Sequence, residues 1–208
     1  MGDRRRVRAY LGLGANVGDA AATLASAVHD LDALPGVRVQ GVSRLFVTAP
    51  WGVTDQPDFH NAVVAVDVTG GGADPPGAAL GLLARLKELE RASGRGEGAA
   101  RWGPRTLDLD LLVFGRHRIA VDRPAAARSL DAETDPDRAA RRLEVPHRDA
   151  GERLFVLAPL ADLAPRLVPP GWPATVERAR QRIAATEPPN AVRPVGTWDP
   201  TAGRWRPS

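Results

Sequence analysis

Six apolar segments along residues 7–114 alternate between two periods, and their order leaves few folds open. Val7, Ala9, Leu11 and Leu13 recur every second residue, the spacing of a strand with one buried face. "GANVGD" follows, with Asp19 placed to cap a helix. Leu24, Val28 and Leu31 then recur at helical spacing to about Leu34, where Pro35-Gly36 ends the run. Residues 37–47 read as a second strand, and NAVVAVDV at 61–68 as a third, apolar enough to be central. Leu80, Leu83, Leu86 and Leu89 carry a second helix to about Arg91, and Thr106–Phe114 is a fourth strand. The order β-α-β-β-α-β predicts an α+β domain of the split βαβ, or ferredoxin-like, arrangement.

The remainder is less regular. Residues 116–144 are rich in Arg, Ala and Asp and predict a surface excursion, with a hairpin at its base and a short helix near 136–142. The apolar segment RLFVLAPLADLAP, 153–165, should pack on the core, and 174–186 has the pattern of a helix. Beyond Thr186, four prolines before residue 201 predict an extended or poorly ordered tail. The expected organisation is one domain over 1–172, then a C-terminal helix and extended tail over 173–208.

A fold does not name a function, so clusters of side chains must decide. In "WGPRTLDLDLLVFG", 102–115, Asp108 and Asp110 alternate with leucines and share one strand face, about 6.5–7 Å apart. One reading is a strand with a solvated face. The other is a Mg²⁺ site, since that ion is held by one or two carboxylates together with substrate phosphates. Arg95, Arg101 and Arg105 lie in the glycine-rich loop before the aspartates, where guanidinium groups suit phosphate and glycines permit a closing lid. The pattern GxxxxGK[ST] does not occur, and Lys87, the sole lysine among 28 basic residues, falls within a helix, so a P-loop is excluded. "VPHRDAGERLF" adds His147, Arg148, Arg153 and Phe155, either structural or phosphate-facing. "PWGVTDQPDFHNAVV" sets Trp51, Phe59 and Asn61 at the mouth of the third strand, as loop anchors or as a clamp for a planar ring.

Composition narrows the setting. There is no cysteine, which excludes disulfides and thiolate metal sites. No apolar run reaches a membrane span, and the arginine-rich start lacks a convincing cleavage site, so a cytoplasmic protein is expected. A pI near 10.4 fits either an arginine-favouring composition or an anionic partner.

The motifs "LGLGANVGD", "PWGVTDQPDFHNAVV", "RWGPRTLDLDLLVFG" and "VPHRDAGERLFVLAPL" resemble the 6-hydroxymethyl-7,8-dihydropterin pyrophosphokinases of folate biosynthesis, over about residues 7–170. The resemblance implies a ferredoxin-like α/β/α sandwich that transfers diphosphate from ATP to the pterin hydroxymethyl group and releases AMP. It implies two Mg²⁺ ions on Asp108 and Asp110, with Arg95 and Arg105 completing the catalytic set. The pterin would lie between Phe59 and Phe155, with Asn61 on its edge, Asp108 beside it, and Thr48, Ala49, Pro50 and Trp51 closing the pocket. ATP would meet Glu90, Arg95, Arg101, Trp102, Arg105, Leu111, Ile119, His147 and Arg153. The implied partners are these two small molecules, without nucleic acid or membrane, at a monomeric enzyme.

The chain departs from the family pattern in places. Glu97 stands where a second arginine is usual, and Lys87 where glutamine is frequent. Arg101 or Arg148 is expected to supply the missing charge, with Glu97 turned to solvent. Two other classes compete: a catalytically impaired regulatory relative, and an RNA-binding ferredoxin-like module. The second needs aromatic residues on the central strands, and the first strand offers only Tyr10.

Overall fold

The computed structural model describes residues 6–50, 55–94, 105–124 and 142–208. The first half follows the expected order. Strand β1 (Val7–Ala15) leads to helix α1 (Ala20–Ala33), whose N-terminus is capped by Asp19 accepting from the Ala22 N–H at 3.0 Å. Strands β2 (Val37–Val42), β3 (Leu45–Thr48) and β4 (Phe59–Val68) precede helix α2 (Pro75–Ala92), capped in the same way by Asp74. Strand β5 (Asp108–Phe114) completes the unit.

The expected second strand, 37–47, is two strands in line, both antiparallel to β4. The break at Ser43-Arg44 has a local cause. Ser43 N–H donates to Val63 O at 2.9 Å, but the return bond from Val63 N–H goes to the Ser43 hydroxyl, also at 2.9 Å. The serine side chain thus replaces its own carbonyl in the ladder, and Arg44 turns out to a bidentate contact with Asp162.

Strands β6 (Ile119–Asp122) and β7 (Arg142–Val145) form the expected hairpin at the base of the excursion, with Arg142 in the strand rather than a helix. The rest of the predicted helix near 136–142 lies outside the described residues. The apolar segment becomes α3 (Leu154–Leu163), and α4 (Val176–Ala184) follows.

The expectation of an extended or poorly ordered tail is corrected. Strands β8 (Val192–Asp199) and β9 (Arg204–Pro207) form a hairpin, and β8 pairs with β3. Trp205 anchors it: the side chain is 8% exposed, its indole N–H donates to Ser43 O at 2.9 Å, and Trp198 meets it edge-on at 4.7 Å. Pro194 is accommodated where the β3–β8 register shifts, between Leu45 and Phe46.

The seven-stranded sheet runs β5-β1-β4-β3-β8-β9, with β2 on the other half of β4, and every pair is antiparallel. Its first four positions carry the ferredoxin-like order. One face packs on α1 and α2 through Leu11, Leu24, Leu31, Val64, Leu86 and Leu109. The other packs on α3 and α4 through Val63, Leu112, Leu157, Leu160 and Val176. The result is an α/β/α sandwich. Tyr10 lies in the second of these cores, so β1 does not present it as an open stacking platform.

Candidate active site

The site begins with β5. Leu107, Leu109 and Leu111 turn into the α1–α2 core at 1%, 0% and 2% exposure, which leaves Asp108 and Asp110 on the opposite face. Across β1 those aspartates face glycines: Asp108 pairs with Gly14 and Asp110 with Gly12. Gly14 in turn pairs with Asn61 of β4. A Cβ on Gly14 would stand 3.6 Å from Asn61 Oδ1 and 3.9 Å from Asp108 Cβ. Asp108, Gly14 and Asn61 therefore form a row whose middle position is bare backbone. Such a gap lets a flat group lie close to the sheet with a carboxylate at one end and an amide at the other.

The turn into β5 is fixed from both sides. Arg105 Nη1 lies 2.7 Å from Asp108 Oδ1. Its peptide is clasped by Asn16, just beyond β1: Arg105 N–H donates to Asn16 Oδ1 at 2.7 Å, and Asn16 N–H donates to Arg105 O at 2.9 Å. The amide nitrogen of Asn16 donates to Gln56 Oε1 at 2.9 Å and Pro57 O at 3.1 Å. One buried side chain thus ties the arginine turn to the loop that precedes Phe59. Nothing in its spacing marked Asn16; its role rests on contacts about 40 and 89 residues away along the chain.

The amide side of the row is equally ordered. Asn61 Nδ2 donates to Thr48 Oγ1 at 2.9 Å, and both residues are buried. The second bond of the same nitrogen, to the acceptor-only carbonyl of Phe59 at 3.4 Å, sets the amide orientation and leaves the oxygen toward Gly14. Phe59 pairs with Thr48 at the start of β4, and Ala49 and Pro50 continue from β3.

The third wall is the segment after β7. His147 N–H donates to Leu112 O at 2.8 Å, which docks it on β5 where the register with β1 shifts. His147 Nδ1 accepts from Asp149 N–H at 3.3 Å, so the neutral ring carries its proton on Nε2. Arg153 donates to Asp149 Oδ2 at 2.7 Å and lies 5.9 Å from the centre of the Phe155 ring. A groove of about 390 Å³ opens here, lined by Arg118, Ile119, Glu144, His147, Arg148 and Trp172. Arg123, unremarked in the sequence, stands just past the end of β6 and continues the alternation of Ile119 and Val121. Burial pushes its guanidinium down from the ordinary value, and the Asp110 charge opposes that shift.

Behind the aspartates sits an ion pair. Lys87 Nζ lies 2.6 Å from Glu90 Oε1 and donates to Leu109 O at 2.9 Å, while Leu109 N–H donates to the same Glu90 oxygen at 2.6 Å. Lys87 is 3% exposed and Glu90 0%. Desolvation alone would lower the ammonium, but Glu90, Asp110 and Asp108 outweigh it and hold Lys87 above its ordinary value.

The structure therefore brings Thr48, Phe59, Asn61, Arg105, Asp108, Asp110 and His147 to strands and turns around one end of the sheet. Arg153 and Phe155 are on the segment that packs over it. Glu90, Leu111 and Ile119 are interior residues, the last at 4% exposure in the sandwich core. Trp51, Arg95, Glu97, Arg101 and Trp102 lie outside the described residues. Arg148 is exposed, 3.9 Å from Asp149.

Asp108 and Asp110 suit a hard divalent cation. They offer oxygen donors on one rigid strand, and no third His, Asp or Glu joins them among the described residues. Two carboxylates leave the other coordination positions to water and phosphate, the usual pattern for Mg²⁺ with a nucleotide.

Comparison with known proteins bears on this geometry. The profile of the family described as 7,8-dihydro-6-hydroxymethylpterin-pyrophosphokinase (HPPK) matches residues 10–165. The chain is 40% identical over 186 residues to the 2-amino-4-hydroxy-6-hydroxymethyldihydropteridine pyrophosphokinase of Methylorubrum extorquens, covering 89% of this chain and 98% of that protein. It is 39% identical over 160 residues to the protein of the same name from Pseudomonas aeruginosa, covering 77% and 82%. Among solved structures, wild-type Plasmodium falciparum HPPK-DHPS superimposes with a TM-score of 0.70 at 14% identity. That match covers all of this chain and 51%, about half, of the solved one, and it speaks to fold.

Proposed function

The chain belongs to the 7,8-dihydro-6-hydroxymethylpterin-pyrophosphokinase family, and from that premise we propose how its residues divide the work. The enzyme transfers a diphosphate group from ATP to the hydroxymethyl group of the reduced pterin, a step of folate biosynthesis. The pterin hydroxyl oxygen forms a bond to the β-phosphorus, the bond from that phosphorus to the bridging oxygen of AMP breaks, and the hydroxyl proton is released. Little is asked of protein acids or bases; positioning and charge stabilisation dominate.

The row Asp108–Gly14–Asn61 carries the assignment. The pterin lies on the bare Gly14 backbone, its edge on Asn61, between Phe59 and Phe155, with Thr48, Ala49, Pro50 and Trp51 closing the pocket. The bonds from Asn61 Nδ2 to Thr48 Oγ1 and Phe59 O support this by holding the amide with its oxygen toward Gly14. Asp108 and Asp110 would hold two Mg²⁺ ions, which when bound would screen the triphosphate and polarise the β-phosphorus. Arg105, His147 and Arg153, with Arg95, Arg101 and Trp102, bind the phosphates from the other side. Arg153 must exchange Asp149 for phosphate, a trade that ties nucleotide binding to the position of Phe155. Arg148 supplies the charge that Glu97 lacks.

The chain acts as a monomer on small molecules in the cytoplasm. No described helix is long and apolar enough to cross a membrane. Incubation with ATP, Mg²⁺ and reduced hydroxymethylpterin tests the reading. Release of AMP is expected; ADP, or no turnover, overturns it.

A further inference from the structure

The pair Lys87–Glu90 is buried, Glu90 at 0% exposure although the resemblance sets it against ATP, and it reaches the one residue that separates the two aspartates. β5 is an edge strand of the sheet. Leu109 faces Leu13, and its N–H and C=O point away from β1, toward the side where a further strand would otherwise stand. Helix α2 fills that place with two side chains one turn apart. Glu90 Oε1 accepts from Leu109 N–H at 2.6 Å, Lys87 Nζ donates to Leu109 O at 2.9 Å, and the two side chains close the ring at 2.6 Å. A helical (i, i+3) spacing and a single strand residue therefore make a closed circuit. Its placement is costly, since burying a lysine and a glutamate adds little to net stability. The N–H and C=O of Leu109 belong to the two peptides on either side of it, so both bonds together resist rotation about Leu109, which is what would splay Asp108 from Asp110.

We propose that Lys87 is a positioning residue for the metal ligands, acting with Glu90 through the backbone N–H and C=O of Leu109 to set the spacing and direction of the Asp108 and Asp110 carboxylates. The inference rests on the metal reading above. Lys87 touches neither metal nor substrate; it acts on the frame that carries the ligands, as outer-shell hydrogen bonds do at metal sites.

The test separates grip from charge and from stability. Lys87→Met alone strands Glu90 as a buried charge and is expected to destabilise the fold. The double variant Lys87→Met/Glu90→Gln removes both charges, leaves the local net charge unchanged, and should melt close to the wild type. Mn²⁺ binding is read by electron paramagnetic resonance with a non-hydrolysable ATP analogue, and pterin binding separately by calorimetry. The double variant should bind Mn²⁺ about 10-fold more weakly, with pterin affinity held. Mn²⁺ affinity within twofold of the wild type in that variant overturns the inference. Asp110→Asn serves as the control. If it leaves Mn²⁺ binding unchanged, the metal reading itself fails and the inference falls with it. If it weakens Mn²⁺ while the double variant does not, the role of Lys87 alone is refuted.

Discussion

Arg105 and Asp108 form a 2.7 Å ion pair across the turn that leads into β5. The carboxylate proposed as a metal ligand is thus already oriented by a guanidinium that the same proposal sets on the phosphates. The peptide of Arg105 is held independently by Asn16, so its side chain can be changed without releasing the turn.

Arg105→Gln is therefore expected to keep the fold and to lower kcat/KM for ATP by about 100-fold, the usual loss for one transition-state charge partner. Asp108→Ala and Asp110→Ala should abolish AMP release. Chromatographic measurement of AMP decides the matter, and activity retained in both aspartate variants refutes the metal assignment.

Gly14→Ala isolates the ligand from the fold. The added methyl would sit 3.6 Å from its nearest neighbour, Asn61 Oδ1, an ordinary contact, so the melting temperature should hold. The same methyl occupies the bare floor between Asp108 and Asn61. Pterin affinity should fall by the ~1–3 kcal/mol typical of overpacking, while ATP affinity stays. Calorimetric titration of each substrate reads the difference; equal losses for both would contradict the placement of the pterin.

The C-terminal hairpin makes a stability prediction. Trp205→Ala should cost about 3–5 kcal/mol in urea denaturation, as for other large buried aromatics. Trp205→Phe keeps most of the packing and loses the bond to Ser43 O, at about 1 kcal/mol. A Trp205→Ala cost below that of Trp205→Phe would mean that the hairpin is not seated as described.

That hairpin also shows where the sequence stops being readable. The first half is legible because each segment repeats its apolar residues at a single period and ends in Pro, Gly or Asp: Asp19 caps α1 as its position predicts. Pro188, Pro189, Pro194 and Pro200 argue locally against a strand. What stabilises β8 and β9 is nonlocal: an indole whose partner, Ser43, lies 162 residues away. Ser43 likewise hides its own break in the second strand, since its hydroxyl bonds to a different strand. The aspartate pair was visible from alternation alone. Asn16 and Arg123 were not, because single polar residues reveal their role only when the turn they face is in place.

His60 gives the pH dependence. Burial lowers its imidazole below the ordinary 6.5, against the opposing charges of Asp19 and Asp58, and Arg193 adds to the lowering. As pH falls through 6.5 the unfolded chain takes up this proton before the folded one does. The contribution is therefore complete above that value and is lost in the acid direction. Urea midpoints at about pH 7.5 and 5.5 should differ more for the wild type than for His60→Gln. An identical acid loss in both proteins would remove His60 as its source.

The lone lysine of this sequence is 3% exposed behind β5, and that has a practical side. Amine-directed reagents find one side-chain target in the sequence, shielded for as long as α2 stays seated. Its acylation rate is then a stopwatch for the parting of that helix from the strand bearing both aspartates. Nucleotide that tightens the seam should slow the stopwatch, and the event can be timed by mass alone, with no probe introduced into the protein.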